Sequence, residues 1–420
     1  MTRHLLTTGA ALALMAGTAA AQTELSMWYH GAGNEAESAV LNAIVDDFNA
    51  SQEAWKVVIE SFPQNSYNDS VVAAALAGNL PDIIDVDGPV MPNWAWSGYL
   101  QPLELDESAL DGFLPSTIGR WDGEVYSVGL WEAAVAMVTR RSTLQKYDIR
   151  VPSLDEPWSR DELDAALTAI KESGDFEYPL DVGMAWTGEW YPYAFSPFLQ
   201  SFGGDIVDRS TYQSAEGALN GDAAIAFGEW WQSLFDRELT PGTSQDPADR
   251  DSGLIEGKYA IQWNGNWAAT GIIDAFGDDV LFLPAPDLGE GPVIGAGSWQ
   301  FGVSATSDDP DGANAFIAFM LQDEYLRAFS DAIGLIPSTA SAAEGSKYYS
   351  EGGQMAVFYD LSAEQSLVRP VTPGYVVMAK VFEKALADIA NGADVADTLD
   401  AAVDEIDSDI EANSGYGHDG

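Results

Sequence analysis

Glu132, Glu189 and Asp87 are carboxylates, Gln300 and Asn264 are amides, and Arg369 is a planar fork of donors. Around them stand Trp131, Trp186, Trp190, Trp263, Trp267 and Trp299, six of fourteen tryptophans, all in expected loops or crossing segments. Flat rings cover apolar C–H faces and rim carboxylates or amides accept from hydroxyls, so such a set can hold a polyhydroxylated ring. Carboxylates suit the rim because bonds to charged groups contribute about 1.5–3 kcal/mol, against about 1 for neutral pairs. A second chemistry is hydrolysis, with Glu132 as acid and Glu189 as nucleophile, which requires carboxyl groups about 5–9.5 Å apart; no sequence feature marks that pair. A third is capture of a cation such as a polyamine in a tryptophan box, which Arg369 would oppose. Blander roles stand beside these. Each tryptophan suits a core as well as a platform, Glu132 could pair with Arg140, and Arg369 could bridge two parts of the chain.

Other chemistry is excluded. The chain has no cysteine, which removes disulfides, thiolate metal sites, cysteine nucleophiles and a lipid-modified cysteine. His30 as a metal ligand lacks company, since beyond the leader the sequence holds only His418 besides. No cofactor is called for. With 66 Asp+Glu against 18 Lys+Arg, nucleic acid and anionic lipid are repelled as partners. Arg3 and His4, the apolar run Leu5 to Ala16 and Ala19-Ala20-Ala21 form an export signal cleaved after Ala21. That run is far short of the roughly 20 residues of a membrane span, and no later segment reaches it. An exported, uninserted protein, free in a periplasm, is expected.

The elements that position these residues follow from periodicity. Glu24 to Tyr29, Lys56 to Phe62 and Pro81 to Val86 read as strands, with helices after Asn34 and near Tyr67 to Ala77 between them. Asn34 with Glu37, and Ser159 with Glu162, have capping-box spacing. Strand–helix alternation implies α/β layers around a parallel sheet, with ligands at the carboxyl ends of the strands, where His30 and Asp87 fall. Val128 to Val138 is apolar and too long for one strand, which suits a passage between lobes. Ala224, Phe227, Trp231, Leu234 and Phe235 share a helical face and read as core.

Five stretches, in order, resemble the family 1 extracellular solute-binding proteins of bacterial ABC importers, the class of the maltose-binding proteins. They are Leu76 to Ile84 with Gly98 to Leu103, Gly123 to Val128, Phe202 to Val207, Gly257 to Ile261 with Asn264 to Trp267, and Phe282 to Pro286 with Gly334 to Pro337. The resemblance implies a periplasmic-binding-protein-like α/β fold, two lobes joined by a hinge of crossing segments, with the ligand cleft between them. It implies an N-lobe of 22–131 plus 302–334 and a C-lobe of 132–301 plus 335–420. Crossings are expected near Leu130 to Ala134, Gln300 to Val303 and Gly334 to Pro337. It implies a carbohydrate ligand, a di- or small oligosaccharide, ABC permease subunits as partners, a monomer and no catalysis. Residue by residue, Glu132 falls where the family accepts from sugar hydroxyls. Glu189 and Tyr191 match a cleft segment in which Trp190 replaces a proline, and Trp267 matches a stacking tryptophan. Ser298, Trp299, Gln300 and Arg369 fall in cleft-lining segments; His30, Asp87, Asn264 and Tyr375 complete the expected set.

Overall fold

The structure, a computed structural model, describes residues 22–417. The export signal assigned to residues 1–21, and His418, lie outside the described residues.

Two sheets carry the molecule. Strands β1 (Thr23–Tyr29), β2 (Trp55–Ser61), β3 (Ile83–Asp87), β4 (Leu100–Gln101), β5 (Ile118–Trp121) and β6 (Glu124–Val128) belong to the first. After β7 (Trp131–Glu132) the second sheet collects β8 (Val135–Arg140), β9 (Tyr178–Asp181), β10 (Tyr259–Gly265) and β11 (Val280–Leu283). Then follow β12 (Ile294–Ala296), β13 (Trp299–Ser304), β14 (Ile336–Pro337) and β15 (Ser366–Val368). The first sheet runs β2-β1-β3-β13-β6-β5, with β4 on β13; the second runs β11-β8-β10-β9. In the first sheet β1 to β3 are parallel, and β13 enters antiparallel with Trp299 opposite Asp87.

The apolar run Val128 to Val138 makes the first passage between lobes. Val128, Leu130 and Trp131 pack in the core of the first lobe, and Ala134 to Val138 in that of the second. Leu335 and Ile336 divide in the same way. The third passage lies between Ile294, in the second core, and Trp299, against the first. It falls ahead of the expected Gln300 to Val303 because β13 needs its full length to pair with β3. The strands β7 and β14 pair as a short ribbon, with Ile336 opposite Glu132. Elsewhere the lobes touch where Asn93 Nδ2 donates to the Pro373 carbonyl at 2.9 Å and Trp96 meets Tyr416 edge-on.

Local signals explain most helix ends. Ser159 and Glu162 form the reciprocal capping box, and Gly174 closes that helix in the left-handed region. Asn34 does cap its helix, but Glu37 does not return to the backbone. Instead its carboxylate turns inward, 7% exposed, and accepts from Asn34 Nδ2 and the Tyr29 hydroxyl. The helix Asp222–Asp236 buries Ala224, Phe227, Trp231 and Leu234 as its periodicity requires, with Phe235 partly covered.

Candidate functional site

Glu132 sits at the passage between lobes and is fully buried. Its carboxylate accepts from the Ala133 amide at 2.7 Å and from the Gly297 amide at 3.0 and 3.1 Å. Burial pushes its pKa up, opposed by those amides. Arg140, the alternative partner, lies instead 3.7 Å from Asp279. Gly297 has φ +91°, a conformation that favours glycine, and this lets its amide face Glu132 while its carbonyl accepts from Arg369 Nη2 at 2.8 Å.

Arg369, 6% exposed, continues the chain of contacts. Its Nε lies 3.2 Å from Glu189 Oε1, and its guanidinium stands over the Tyr193 ring, 4.8 Å from the centroid. The Tyr375 hydroxyl also donates to Glu189. Desolvation pushes the Glu189 carboxyl upward against the pull of Arg369, and Asp87 adds to the push. Glu132, Gly297, Arg369, Glu189 and Tyr375 thus form one connected polar set, although they come from four separate parts of the sequence. A cavity of about 280 Å³ opens on it, lined by Gly88, Met91, Ser116, Gly297, Gln300 and Arg369 among others. A larger groove of about 330 Å³ runs between the two C-terminal helices; its lining of Lys384, Asp388, Asp394 and Glu405 carries no aromatic platform.

Aromatic walls stand in both lobes. In the second, Trp267 begins the helix Asn266–Phe276 and packs against Trp186, Trp190 and Tyr193, with centroids 6.1–6.3 Å away. Gly265 permits this fold-back, since a Cβ there would lie 2.1 Å from the Trp267 ring. Behind these rings lies Arg250, fully buried, with its guanidinium 4.6 Å from the Trp186 centroid and 5.5 Å from that of Trp190. It donates to Asp181 at 3.0 Å. In the first lobe, Trp299 is half-buried at the head of β13 and stacks on His30 at 3.8 Å and 8°.

The remaining expected site residues are held by contacts within the fold. His30 is behind Trp299, 5% exposed and bonded to Asp85. Asn264 is buried in β10, where its side chain donates to Gln262 and accepts from the Gly265 amide. Tyr191 packs into the second core, edge-on to Phe195. Trp190 is 7% exposed and supports Trp267. Gln300 lines the cavity, but its amide is taken by Ser127 and the Ser116 carbonyl. The Ser298 carbonyl accepts from the Gly88 amide, tying the two loops at the strand ends. Asp87, half-buried, accepts from Asn68 at 3.5 Å; burial raises its pKa despite Arg369. Trp131 and Trp263 are core residues, packed on Phe329 and Phe198.

Tyr193, Ser116, Arg250 and Asp181 escape the sequence reading. Tyr193 was accessible to it, being four residues after Glu189 and therefore on the same helical face. Ser116 lies in a short turn without a motif, and Arg250 and Asp181 meet only through the second sheet.

The sequence profile of the bacterial extracellular solute-binding proteins matches residues 43–357. A probable sugar-binding periplasmic protein of Rhizobium meliloti is 26% identical over 361 residues, 80% of this chain and 81% of its own. An uncharacterized lipoprotein of Streptomyces antibioticus is 25% identical over 300 residues, 68% of this chain; the match spans 64% of that relative's length, under two thirds. Among solved structures, the GacH receptor of Streptomyces glaucescens, determined unliganded and with acarbose, superimposes with a TM-score of 0.78. It is 22% identical, over 94% of this chain and 99% of that one. The cyclic alpha-maltosyl-1,6-maltose binding protein of Arthrobacter globiformis gives 0.77 at 22% identity, covering 93% and 100%. These likenesses establish the periplasmic-binding-protein-like two-lobed fold, and with the profile match over most of its length, the chain belongs to the bacterial extracellular solute-binding proteins.

Proposed function

We propose that this protein is the substrate-capturing subunit of an ABC importer for carbohydrate, closing in the periplasm on a di- or small oligosaccharide. The observation that carries the reading is the pairing of aromatic walls in two lobes with a carboxylate–arginine–carboxylate chain between them, Glu132 and Arg369 buried and Glu189 partly exposed. Trp299 and Trp267 supply stacking faces, and Glu189, Asp87 and Arg369 supply rim bonds. Glu132 holds the loop at Gly297 that carries the backbone from one lobe to the other. Sugar bridging both walls would favour the closed form, which then meets the membrane permease. The cores support a first lobe of 22–131 plus 299–335 in place of the expected 302–334, because β13 from Trp299 and Leu335 pack with the first core, and a second lobe of 132–298 and from 336 onward. Cleavage after Ala21 would release the protein, as a monomer; no described helix is long and apolar enough to cross a membrane.

The protein is not an enzyme in this reading. Glu132 is bonded to two amides and enclosed, a poor position for acid or nucleophile. The test is thermal melting with mono-, di- and oligosaccharides, sugar acids and polyamines. A ligand at 100 times its Kd adds about 2.7 kcal/mol of stability. A sugar that raises the midpoint and is recovered intact supports the reading. A response to polyamines alone would overturn the sugar assignment, and cleaved sugar would overturn the binding role.

A further inference from the structure

His30 backs the tryptophan of the first wall, with both ring nitrogens turned towards carboxylates. Its ring lies parallel to Trp299 at 3.8 Å. Its Nδ1 bonds Asp85, its backbone amide donates to the same Asp85 oxygen at 3.1 Å, and its Nε2 lies 3.5 Å from Glu37. Both ring nitrogens therefore face carboxylates, which a doubly protonated imidazolium satisfies and a neutral ring, with one N–H, does not. Asp85 is wholly buried, and its Oδ1 has no hydrogen-bond partner among the described residues, so the charge on that side chain is answered chiefly through His30.

Every element packed around the ring contributes to this balance. Strand β3 brings Asp85 and, further off, Asp87; the helix Glu35–Ser51 brings Glu37; β1 brings Tyr29, whose hydroxyl donates to Glu37. The helix Gln64–Ala77 brings Tyr67, which accepts from the Asp85 amide and meets Trp299 edge-on at 5.5 Å. Burial by itself lowers the imidazole pKa, but the carboxylates of Asp85, Glu37 and Asp87 outweigh it and raise the value above 6.5.

We propose that His30 is a positioning residue: as an imidazolium clamped between Asp85 and Glu37, it fixes the plane of Trp299 as the sugar platform of the first lobe. The inference rests on the sugar-capture reading for its functional consequence, but not for its geometry. Loss of the proton leaves two buried carboxylates facing each other across a neutral ring, and the platform loosens as they move apart. Binding then weakens at alkaline pH although His30 is buried behind the platform.

The test has two arms on the full chain. In the first, histidine is labelled with ¹⁵N in unliganded protein, and His30→Gln assigns the His30 signals among the three histidines. Two protonated ring nitrogens at pH 7, with ring protons shifted upfield by the indole and restored in Trp299→Leu, are expected. A singly protonated His30 at pH 7 overturns the clamp. In the second arm, maltotriose affinity is measured from pH 6 to 9 for wild type and His30→Gln. Wild-type Kd should rise about tenfold across the range, and the variant should bind weakly with a shallower profile, keeping only the dependence that Glu189 contributes. A variant with wild-type affinity and pH profile overturns the positioning role. Failure of wild type to bind any panel sugar sinks the capture reading instead, and the labelled-histidine arm alone then decides the clamp.

Discussion

The two proposed walls of the cleft solve one problem with different ions. In each, a tryptophan platform is backed by a buried charged pair: Trp299 by His30 and Asp85, and Trp186 with Trp190 by Arg250 and Asp181. Arg250 donates to Asp181 and to the Trp263 carbonyl, while Gly183, Gln245 and Gln262 also donate to Asp181. Asp181 thus accepts from four residues, in a network built on a guanidinium that stays charged at any working pH. The wall of the first lobe depends on an imidazole, the side chain that changes charge near neutrality. One wall is fixed by its chemistry and the other is loosened by the loss of a proton.

The largest expected effect breaks the fixed wall. Arg250→Met leaves Asp181 charged and enclosed, and removing one member of a buried pair costs about 3–5 kcal/mol. Denaturant unfolding should show that loss. A change under 1 kcal/mol would mean that the amide donors alone hold Asp181 and that the pair is not what supports the wall. Next, Trp267→Ala should weaken binding of the responsive sugar by about 2 kcal/mol, roughly thirtyfold, with unchanged circular dichroism. Unchanged affinity in the folded variant would remove Trp267 from the site and shift the platform to Trp186. Glu132→Gln probes the joint between the walls. Its amide oxygen at the Oε1 position still accepts from both amides, but its NH2 at the Oε2 position faces the Gly297 N–H, costing about 1–2 kcal/mol of stability. A more stable variant would show that the buried charge costs more than the amide bonds return.

Legibility in the sequence followed the range of the forces involved. Strand and helix order, the Ser159–Glu162 box and the Gly174 stop are local, so periodicity and capping chemistry reveal them. The change of core after Trp131 was also readable, because an eleven-residue run, apolar but for Glu132, cannot lie in one strand of ordinary length. Residues in cleft segments were placed by resemblance, which locates a segment but not the direction of each side chain. Hence Asn264 and Tyr191 point into the second lobe while Tyr193, on the same helix as Tyr191, meets Arg369. The pairs behind the walls were invisible: Arg250 and Asp181 are 69 residues apart and His30 and Asp85 are 55 apart. Glu37 illustrates the conflict of scales. Its spacing from Asn34 matches a capping box, yet the Tyr29 hydroxyl and the nearby imidazole draw its carboxylate inward.

The smallest effect is the most discriminating between the walls, because it reads the proton directly. His30 is raised above 6.5, so its stabilisation is fully present below that pH and disappears as pH climbs through the folded value. Asp85 and Glu37 are also raised, mainly by desolvation, and each disfavours the fold progressively once pH exceeds its ordinary 3.8 or 4.5. Glu189, pushed up to about 8 by desolvation, has the same sign over the same window. His30 and Glu189 bind more protons when folded in this range, so stability falls from pH 6.5 towards 9, by at most about 1.4 kcal/mol per pH unit for each proton released. His30→Gln removes one titrating group and leaves Glu189 and the arginine wall in place. Its melting midpoint should therefore decline less steeply than that of wild type, while Arg250→Met, though far less stable, keeps the wild-type slope. Parallel slopes for wild type and His30→Gln would show that the imidazole carries no extra proton in the fold, and the contrast between a titrating wall and a fixed one would be lost.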